Sequence, residues 1–169
     1  MSSSTAAEVI FELNLKQLPW EGGYYSETYR STEIFKPGHL GEEIEGERNF
    51  STAIYYLLTP DTFSFMHQLK FDEVFHFYMG DPVEMLLLDA DGSGDMITLG
   101  HDIKSGMKPQ YYVRKHTWQG SRLADGGEFA LMGTTMSPGF DFKDYIHGDR
   151  EKLIDSHPQF KEQIIARTN

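Results

Sequence analysis

The sequence of 169 residues contains no cysteine, which excludes a disulfide framework and a thiolate site for catalysis or metal binding. It also has no run of 18 apolar residues, so no membrane-spanning helix is predicted. Basic residues are few, with 15 Lys and Arg against 26 Asp and Glu, and the net charge is −11. We therefore expect neither nucleic acid nor an anionic membrane as a partner, because both are bound through positive charge on the protein.

The N-terminal segment MSSSTAAEVIFELNL has neither a basic residue nor an unbroken apolar stretch. A secretory signal peptide is therefore not expected, and the predicted location is the cytoplasm. Aromatic residues make up 14% of the chain, which favours β-strands and a core with a pocket over a helical bundle. The length fits a single domain with a sizeable core.

The order of the elements is predicted from periodicity. A short helix is expected over residues 5–16, because Thr5 and Glu8 have capping-box spacing and the apolar residues share one face. A Gly-rich loop is expected at FKPGHLGEEIEGERN, residues 35–49. Short strand-like runs bounded by turn residues are predicted at 24–31, 51–58, 64–69, 74–79, 84–89, 96–99, 110–113 and 128–135.

The C-terminal segment has helical periodicity, with Asp149 as a candidate cap and Pro158 opening a second short helix. No repeat or linker divides the chain. We predict one domain over residues 1–169, with a β-barrel core at about 20–145 and a helical tail at about 147–167.

The segment FSFMHQLKFDEVFHFYMGD, residues 63–81, combines two histidines and two adjacent carboxylates with many aromatic residues. Its spacing resembles the first motif of the cupin superfamily, His-x-His, then Glu after three or four residues and Gly after six more. His67, Glu73 and Gly80 match this pattern, and Leu69 stands in the place of the second histidine. The segment PQYYVRKHTWQGSR resembles the second motif, with Gln119 in the place of its final histidine.

The resemblance is most specific to the cupin subfamily called DUF985 or Cupin_5. It is carried by the blocks EGGYYSETYRS, STAIYYLL, DEVFHFYMGDPVEMLLL, WQGSRL and TTMSPGFDFKDY, which together span about residues 15–155. The resemblance implies a mainly β, RmlC-like jelly-roll barrel (a double-stranded β-helix) with a short N-terminal helix and C-terminal helices. It also implies a homodimer, and it leaves the activity unsettled.

Side chains alternate between the interior and the exterior of a barrel strand, so the motif register predicts that His67 and Glu73 point inward. His76 has the opposite parity to Glu73 and would face outward unless a bulge resets the alternation, which the sequence leaves open. Polar side chains inside such a barrel are expected to line a ligand cavity.

The first functional hypothesis is a metal-independent isomerase or epimerase acting on a sugar or small acid in the barrel cavity. His67 is the candidate base, Glu73 its partner and Tyr56 the candidate proton donor. Residues expected to bind the ligand, through aromatic faces or polar groups, are Tyr24, His76, Tyr78, Trp118, Gln119 and Arg122.

Two alternatives stay open. One is a ligand-binding or sensor cupin without catalysis. The other is a metal-dependent oxygenase or isomerase whose ligands would be His67, Glu73 and His76. No metal or other cofactor is expected, because Leu69 cannot coordinate a metal and Gln119 is a weak neutral donor.

Overall fold

A computed structural model of the chain describes residues 4–36, 38–39 and 46–169. The α-helices are α1 (Ala6–Glu12), α2 (Arg150–Ser156) and α3 (Lys161–Ile165). The strands are β1 (Lys16–Gln17), β2 (Tyr24–Arg30), β3 (Ile34–Phe35), β4 (Arg48–Asn49), β5 (Thr52–Leu58), β6 (Phe63–Leu69), β7 (Glu73–Gly80), β8 (Val83–Leu88), β9 (Gly94–Leu99), β10 (Gln110–Val113), β11 (Trp118–Leu123), β12 (Ala130–Met136) and β13 (Tyr145–His147).

Two antiparallel sheets form the body of the protein. The six-stranded sheet has the order β1-β2-β5-β12-β7-β10, and the five-stranded sheet has the order β13-β6-β11-β8-β9. Neighbours in these sheets are often distant in the chain, because the strands cross over between the sheets as in a jelly roll. The predicted mainly β, RmlC-like cupin double-stranded β-helix with terminal helices is confirmed.

The core has an interior part and two outer parts. Inside the barrel, residues of both sheets pack together, including Leu58, Phe75, Phe77, Val83, Met85 and Met132. Val9 of α1 packs with Leu57 and Leu131 on the outer side of the six-stranded sheet. Leu153 of α2 and Ile164 of α3 cover Met66, Leu86 and Leu88 of the five-stranded sheet. Both sheets are therefore covered by a helix on part of their outer face.

The N-terminal helix begins as predicted but is shorter. Thr5 caps it, with the Glu8 amide donating to Thr5 Oγ1 at 3.3 Å and the Thr5 amide donating to Glu8 Oε2 at 2.8 Å. It ends at Glu12 rather than at residue 16, since Asn14 adopts a positive φ of 50° and Lys16 already belongs to β1. None of the helices in the described part of the chain has the length and apolar character of a membrane span.

Strand β11 was not predicted, because its Gln-Gly-Ser sequence has little β propensity. It nevertheless lies between β6 and β8, and Gly120 allows close packing there: a Cβ at this position would lie 2.6 Å from Met66 Sδ. Part of the loop predicted at residues 35–49, residues 37 and 40–45, lies outside the described residues. Strands β3 and β4, on either side of that part, pair with each other.

Candidate functional site

A cavity of about 410 Å³ lies within the barrel. Its apolar wall is formed by Leu18, Tyr25, Ile54, Leu69, Met136, Phe140 and Phe142. Its polar lining is formed by Glu21, Glu27, Arg30, Thr52, Glu73, Thr134 and Asp141. A largely apolar hollow with a few converging polar groups is the usual form of a small-molecule site.

Glu73 is a buried polar residue on the wall of this cavity. It opens β7, is 6% exposed, and pairs across the sheet with Val113 of β10 and Met136 of β12. Gln119 Nε2 donates a hydrogen bond to Glu73 Oε2 at 2.8 Å, and Thr134 also hydrogen-bonds to this carboxyl group. Two buried polar neighbours therefore fix the Glu73 side chain at the cavity wall.

Glu21 enters the cavity from the turn between β1 and β2. The Phe65 amide donates to the Glu21 carbonyl oxygen at 2.8 Å, and Tyr56 Oη donates to the Gly22 carbonyl oxygen at 3.0 Å. Gly22 has a φ of +87°, and a Cβ there would lie 2.1 Å from the Phe63 carbonyl oxygen, so only glycine fits. These contacts hold the turn against β6 and turn the Glu21 side chain, which is 13% exposed, inward.

His67 of β6 lies behind Glu21. Its Nδ1 is 2.7 Å from the Phe65 carbonyl oxygen, which can only accept, so Nδ1 carries the proton and Nε2 has the free lone pair of the neutral ring. Nε2 is 4.0 Å from Glu21 Oε1 and has no hydrogen-bond partner among the described residues. The ring stacks on Tyr145, with centroids 5.1 Å apart, and His67 is 1% exposed.

Burial opposes the ionisation of both carboxyl groups. Burial raises the pKa of Glu21 to about 7. Burial, and then the charge of Glu21, raise the pKa of Glu73 to about 7 against the smaller opposing effect of His67. Burial also lowers the pKa of His67, although the charge of Glu73 opposes this. Near neutral pH the site therefore combines a neutral imidazole with a carboxyl pair that is poised between its protonated and ionised states.

Arg30 lies at the cavity together with Glu27. Arg30 Nε and Nη2 donate to the Glu27 carboxylate at 3.0 and 2.7 Å. Nη1 donates to Asn49 Oδ1 at 2.8 Å, and both terminal nitrogens contact the Phe140 carbonyl oxygen at 3.3 and 3.4 Å. The guanidinium group is thus occupied by protein oxygens.

The structure brings the three residues predicted for catalysis, His67, Glu73 and Tyr56, close together, but of these only Glu73 lines the cavity. His67 and Glu73 lie on different sheets and interact across the barrel interior through their charges. Tyr56 is 1% exposed, and its hydroxyl group donates a hydrogen bond to the Gly22 carbonyl oxygen. Tyr56 therefore supports the Glu21 turn and does not face the cavity. Burial and the charge of Glu21 raise the pKa of Tyr56 well above its usual range, which keeps the phenol protonated.

Of the residues predicted to bind the ligand, Gln119 contacts the site through Glu73, and the other five do not line the cavity. His76 and Tyr78 stack on each other on the outer face of β7. The pairing of β7 with β12 has a bulge between Phe77 and Met79. The bulge comes after His76 in the strand, so it does not turn the His76 side chain inward. A site that joins His76 to His67 and Glu73 is therefore not formed.

The remaining three predicted ligand residues lie elsewhere. Tyr24 packs on the α1 side of the six-stranded sheet. Trp118 packs with the C-terminal helices, and Arg122 forms an ion pair with Asp125. Their side chains alternate to the outer faces of their strands or lie at strand ends, which adjacency in sequence could not reveal.

Glu21 and Tyr145 are the site residues that sequence reasoning missed. Glu21 stands directly before Gly22 and Gly23, and a carboxylate before two glycines of a tight turn was the available signal. Tyr145 donates to the Trp20 carbonyl oxygen at 3.2 Å while stacking on His67, so it braces the same turn. Its position in a short C-terminal strand gave no such indication.

The donor set does not fit the metal that many cupins hold. Leu69 places an aliphatic side chain on the cavity wall, and such a side chain cannot coordinate a metal ion. The Gln119 amide nitrogen donates a hydrogen bond to the Glu73 carboxyl group, so Gln119 does not act beside Glu73 as a second metal ligand. Within the described ranges, no group of three or more His, Cys, Asp or Glu side chains is arranged to hold a metal ion.

Comparison with known proteins places these features in a family context. The family model Cupin_5, described as "Cupin superfamily (DUF985)", matches residues 7–147. An uncharacterized protein of Saccharomyces cerevisiae, YML079W, is 35% identical over 141 residues, which cover 78% of this chain and 70% of the yeast protein.

Solved structures show the same fold over nearly the whole chain. Protein SO0799 from Shewanella oneidensis is 30% identical, with a TM-score of 0.87 and coverage of 99% of both chains. A hypothetical protein from Leishmania major is 29% identical, with a TM-score of 0.87 and coverage of 98% of this chain and 99% of that one. Oxalate decarboxylase from Bacillus subtilis is 14% identical, with a TM-score of 0.54 over 89% of this chain and 36% of its own, a likeness of fold alone.

Proposed function

The chain belongs to the Cupin_5 family of the cupin superfamily (DUF985), and on this premise we propose that it binds a small organic molecule in the barrel cavity and moves a proton on it as an isomerase or epimerase that needs no metal. The observation that carries the proposal is the pair of buried carboxyl groups, Glu21 and Glu73, on the wall of a cavity with otherwise largely apolar sides.

The pair offers an acid and a base at the same time. Burial raises the pKa of both carboxyl groups to about 7, and the charge of Glu21 adds to this effect for Glu73, so that one group can be ionised while the other is protonated near neutral pH. The ionised group can remove a proton from carbon next to a carbonyl, and the protonated group can return one elsewhere on the same molecule. Such chemistry exchanges a substrate hydrogen with solvent without a resident cofactor.

His67 acts on this pair from behind. Its free Nε2 lone pair faces Glu21 at 4.0 Å, so the ring can take up the proton of Glu21 and give it back. The role proposed for His67 is thus to relay protons through Glu21, since the cavity wall is formed by Glu21 itself. The stacked Tyr145 and the Phe65 carbonyl hold the ring in the tautomer that this role needs.

The test is solvent exchange. A panel of small carbonyl compounds, with neutral, anionic and amine-bearing members, is incubated in D₂O and read by mass spectrometry. We expect the wild type to add one deuterium to at least one compound, and Glu21→Gln and Glu73→Gln to lose this exchange. Glu128→Gln, which changes an exposed carboxylate, is the matched control and should exchange like the wild type. Equal exchange by Glu73→Gln and the wild type would reject the proposal.

A cupin that binds without catalysis is the second candidate. The unpaired acceptors of His67 and Gln119 favour ligand binding whether or not turnover follows. Panel members that bind in thermal-shift measurements but never gain deuterium would favour this candidate over the isomerase.

The expected homodimer also stays a proposal. Tyr78 and Tyr112 are 45% and 52% exposed on the outer face of the six-stranded sheet, which supports a partner surface there. A Tyr78→Glu, Tyr112→Glu double variant should sediment as a monomer, whereas Phe11→Glu on α1 should not change the mass. A double variant that keeps the wild-type mass would exclude this surface. The cytoplasmic location stays a prediction from the N-terminal sequence.

A further inference from the structure

The charges that line the cavity are unbalanced. The carboxyl side chains of Glu21, Glu27, Glu73 and Asp141 line it, and Arg30 is the single cation among the described lining residues. An anion that enters the cavity therefore meets more negative than positive charge.

The one cation is already used by the protein. Arg30 forms paired hydrogen bonds with the Glu27 carboxylate and further bonds with Asn49 Oδ1 and the Phe140 carbonyl oxygen. A guanidinium group has five N–H donors, and these contacts engage all three of its nitrogens. Arg30 thus has neither net charge to spare, because Glu27 neutralises it, nor a free donor fork for a substrate carboxylate or phosphate.

Four buried side-chain atoms lack hydrogen-bond partners in the described part of the chain, and the two that adjoin the cavity carboxyl groups are acceptors; the other two are Ser121 Oγ and Arg167 Nε. His67 Nε2 and Gln119 Oε1 are both inaccessible to solvent and have no hydrogen-bond partner in the part of the chain that the structure describes. His67 Nε2 lies 4.0 Å from Glu21 Oε1. Gln119 Oε1 belongs to the amide group whose nitrogen donates to Glu73 Oε2. A group that only donates, such as an ammonium with its three N–H bonds, complements this set, whereas a carboxylate or phosphate does not.

The walls suit the same ligand. Tyr25, Phe140 and Phe142 line the cavity, and the rings of Phe140 and Phe142 meet edge to face with centroids 5.0 Å apart. Aromatic faces attract cations, and they also bury an apolar body. The Glu21 and Glu73 carboxyl groups thus form an acidic floor of the cavity, and its walls are aromatic; this combination favours an organic cation.

We propose that the cavity takes an organic ammonium cation, a primary amine carried on an apolar or aromatic body, and excludes carboxylates and phosphates. The inference rests on the proposed use of this cavity as the ligand site but does not depend on turnover. It replaces the sugar or small-acid substrate that the sequence alone suggested with an amine.

Three molecules of similar shape and different charge test it: benzylamine, benzyl alcohol and benzoate. Their affinities are measured at pH 7.5 by isothermal titration and ligand-observed NMR. We expect benzylamine to bind at least about tenfold more tightly than benzyl alcohol, and benzoate not to bind. Benzylamine that does not bind at millimolar concentration, or that binds no better than benzyl alcohol or benzoate, would overturn the proposal.

Three carboxylate variants locate the effect. Glu21→Gln and Glu73→Gln should each weaken benzylamine binding at least about tenfold and leave benzyl alcohol within about twofold. Glu27→Gln should free Arg30 and create measurable benzoate binding. The exposed Glu128→Gln should bind all three molecules like the wild type. Unchanged benzylamine affinity in both cavity-floor variants, or no benzoate binding to Glu27→Gln, would contradict the proposed basis of charge selection.

These outcomes separate the two proposals. Tight amine binding without deuterium exchange on any panel compound would leave the ammonium site standing and remove the isomerase. Exchange on an anionic compound, with benzoate binding to the wild type, would remove the ammonium site and leave the isomerase.

Discussion

Replacing Glu73 by Gln should stabilise the protein at alkaline pH and leave its stability nearly unchanged in acid. The carboxyl group is 6% exposed, and its pKa is raised from 4.5 to about 7 by burial and by the charge of Glu21. Below pH 4.5 the carboxyl is protonated in both the folded and the unfolded chain, so it contributes no pH dependence. Between pH 4.5 and 7 the folded chain holds a proton that the unfolded chain has lost, so stability falls as pH rises.

The size of the effect follows from that difference. One pKa unit corresponds to about 1.4 kcal/mol, so a rise from 4.5 to about 7 means that ionising Glu73 in the folded protein costs about 3 kcal/mol. This cost is complete above pH 7. Glutamine removes the charge while its Oε1 can still accept the hydrogen bond from Gln119 Nε2, which is 2.8 Å long in the native site. We therefore expect Glu73→Gln to be more stable than the wild type by about 2–3 kcal/mol at pH 8.

The assay is urea unfolding at several pH values between 4.5 and 8.5, with Glu128→Gln as the control for net charge. The wild type and the control should lose stability in parallel as pH rises, and Glu73→Gln should lose less. Glu21→Gln should behave like Glu73→Gln, because burial also raises the pKa of Glu21 to about 7. The double variant should gain less than the sum of the single variants, since their mutual repulsion is removed only once.

Parallel pH profiles for the wild type and Glu73→Gln, or a less stable variant at pH 8, would refute the reasoning. A gain in stability together with lost deuterium exchange would show that the strained charge pair is kept for function, since active sites often retain groups that lower stability.

Three further predictions concern the elements that hold the site. Gly22→Ala should destabilise the fold by more than about 1 kcal/mol and disorder the Glu21 turn, because its φ is +87° and a Cβ would lie 2.1 Å from the Phe63 carbonyl oxygen; thermal unfolding equal to the wild type would argue against this close approach. Asp144→Asn should lower the free energy of unfolding in urea by at least about 1 kcal/mol, since it removes the carboxylate that the buried Arg48 guanidinium contacts at 2.8 and 2.9 Å; a variant as stable as the wild type would contradict a stabilising role for this ion pair. Thr5→Ala should cost about 1 kcal/mol by removing the α1 cap, and calorimetry that finds no change in Tm would contradict the capping box seen at Glu8.

Local sequence patterns determined the order and type of most elements. Capping-box spacing located the start of α1, and Asp149 caps α2 through the Lys152 amide as expected. Alternation of apolar and polar residues located most of the strands, because a side-chain period of two follows from strand geometry itself. The spacing of His67, Glu73 and Gly80 carried the resemblance to the cupin fold, which the family match and the neighbouring structures confirm.

The members of the site were decided by tertiary structure. Glu21 reaches the cavity because the Phe65 amide, far away in sequence, binds its carbonyl oxygen and because Tyr56 holds the next residue. The alternation of side chains along a strand determines which residues share a face. The closure of the barrel determines what each face contacts, and it places His76 on the outside and His67 behind Glu21. The raised pKa values of the two carboxyl groups likewise depend on burial, and that of Glu73 depends also on the charge of Glu21. Both conditions arise only when segments far apart in the chain enclose the same cavity.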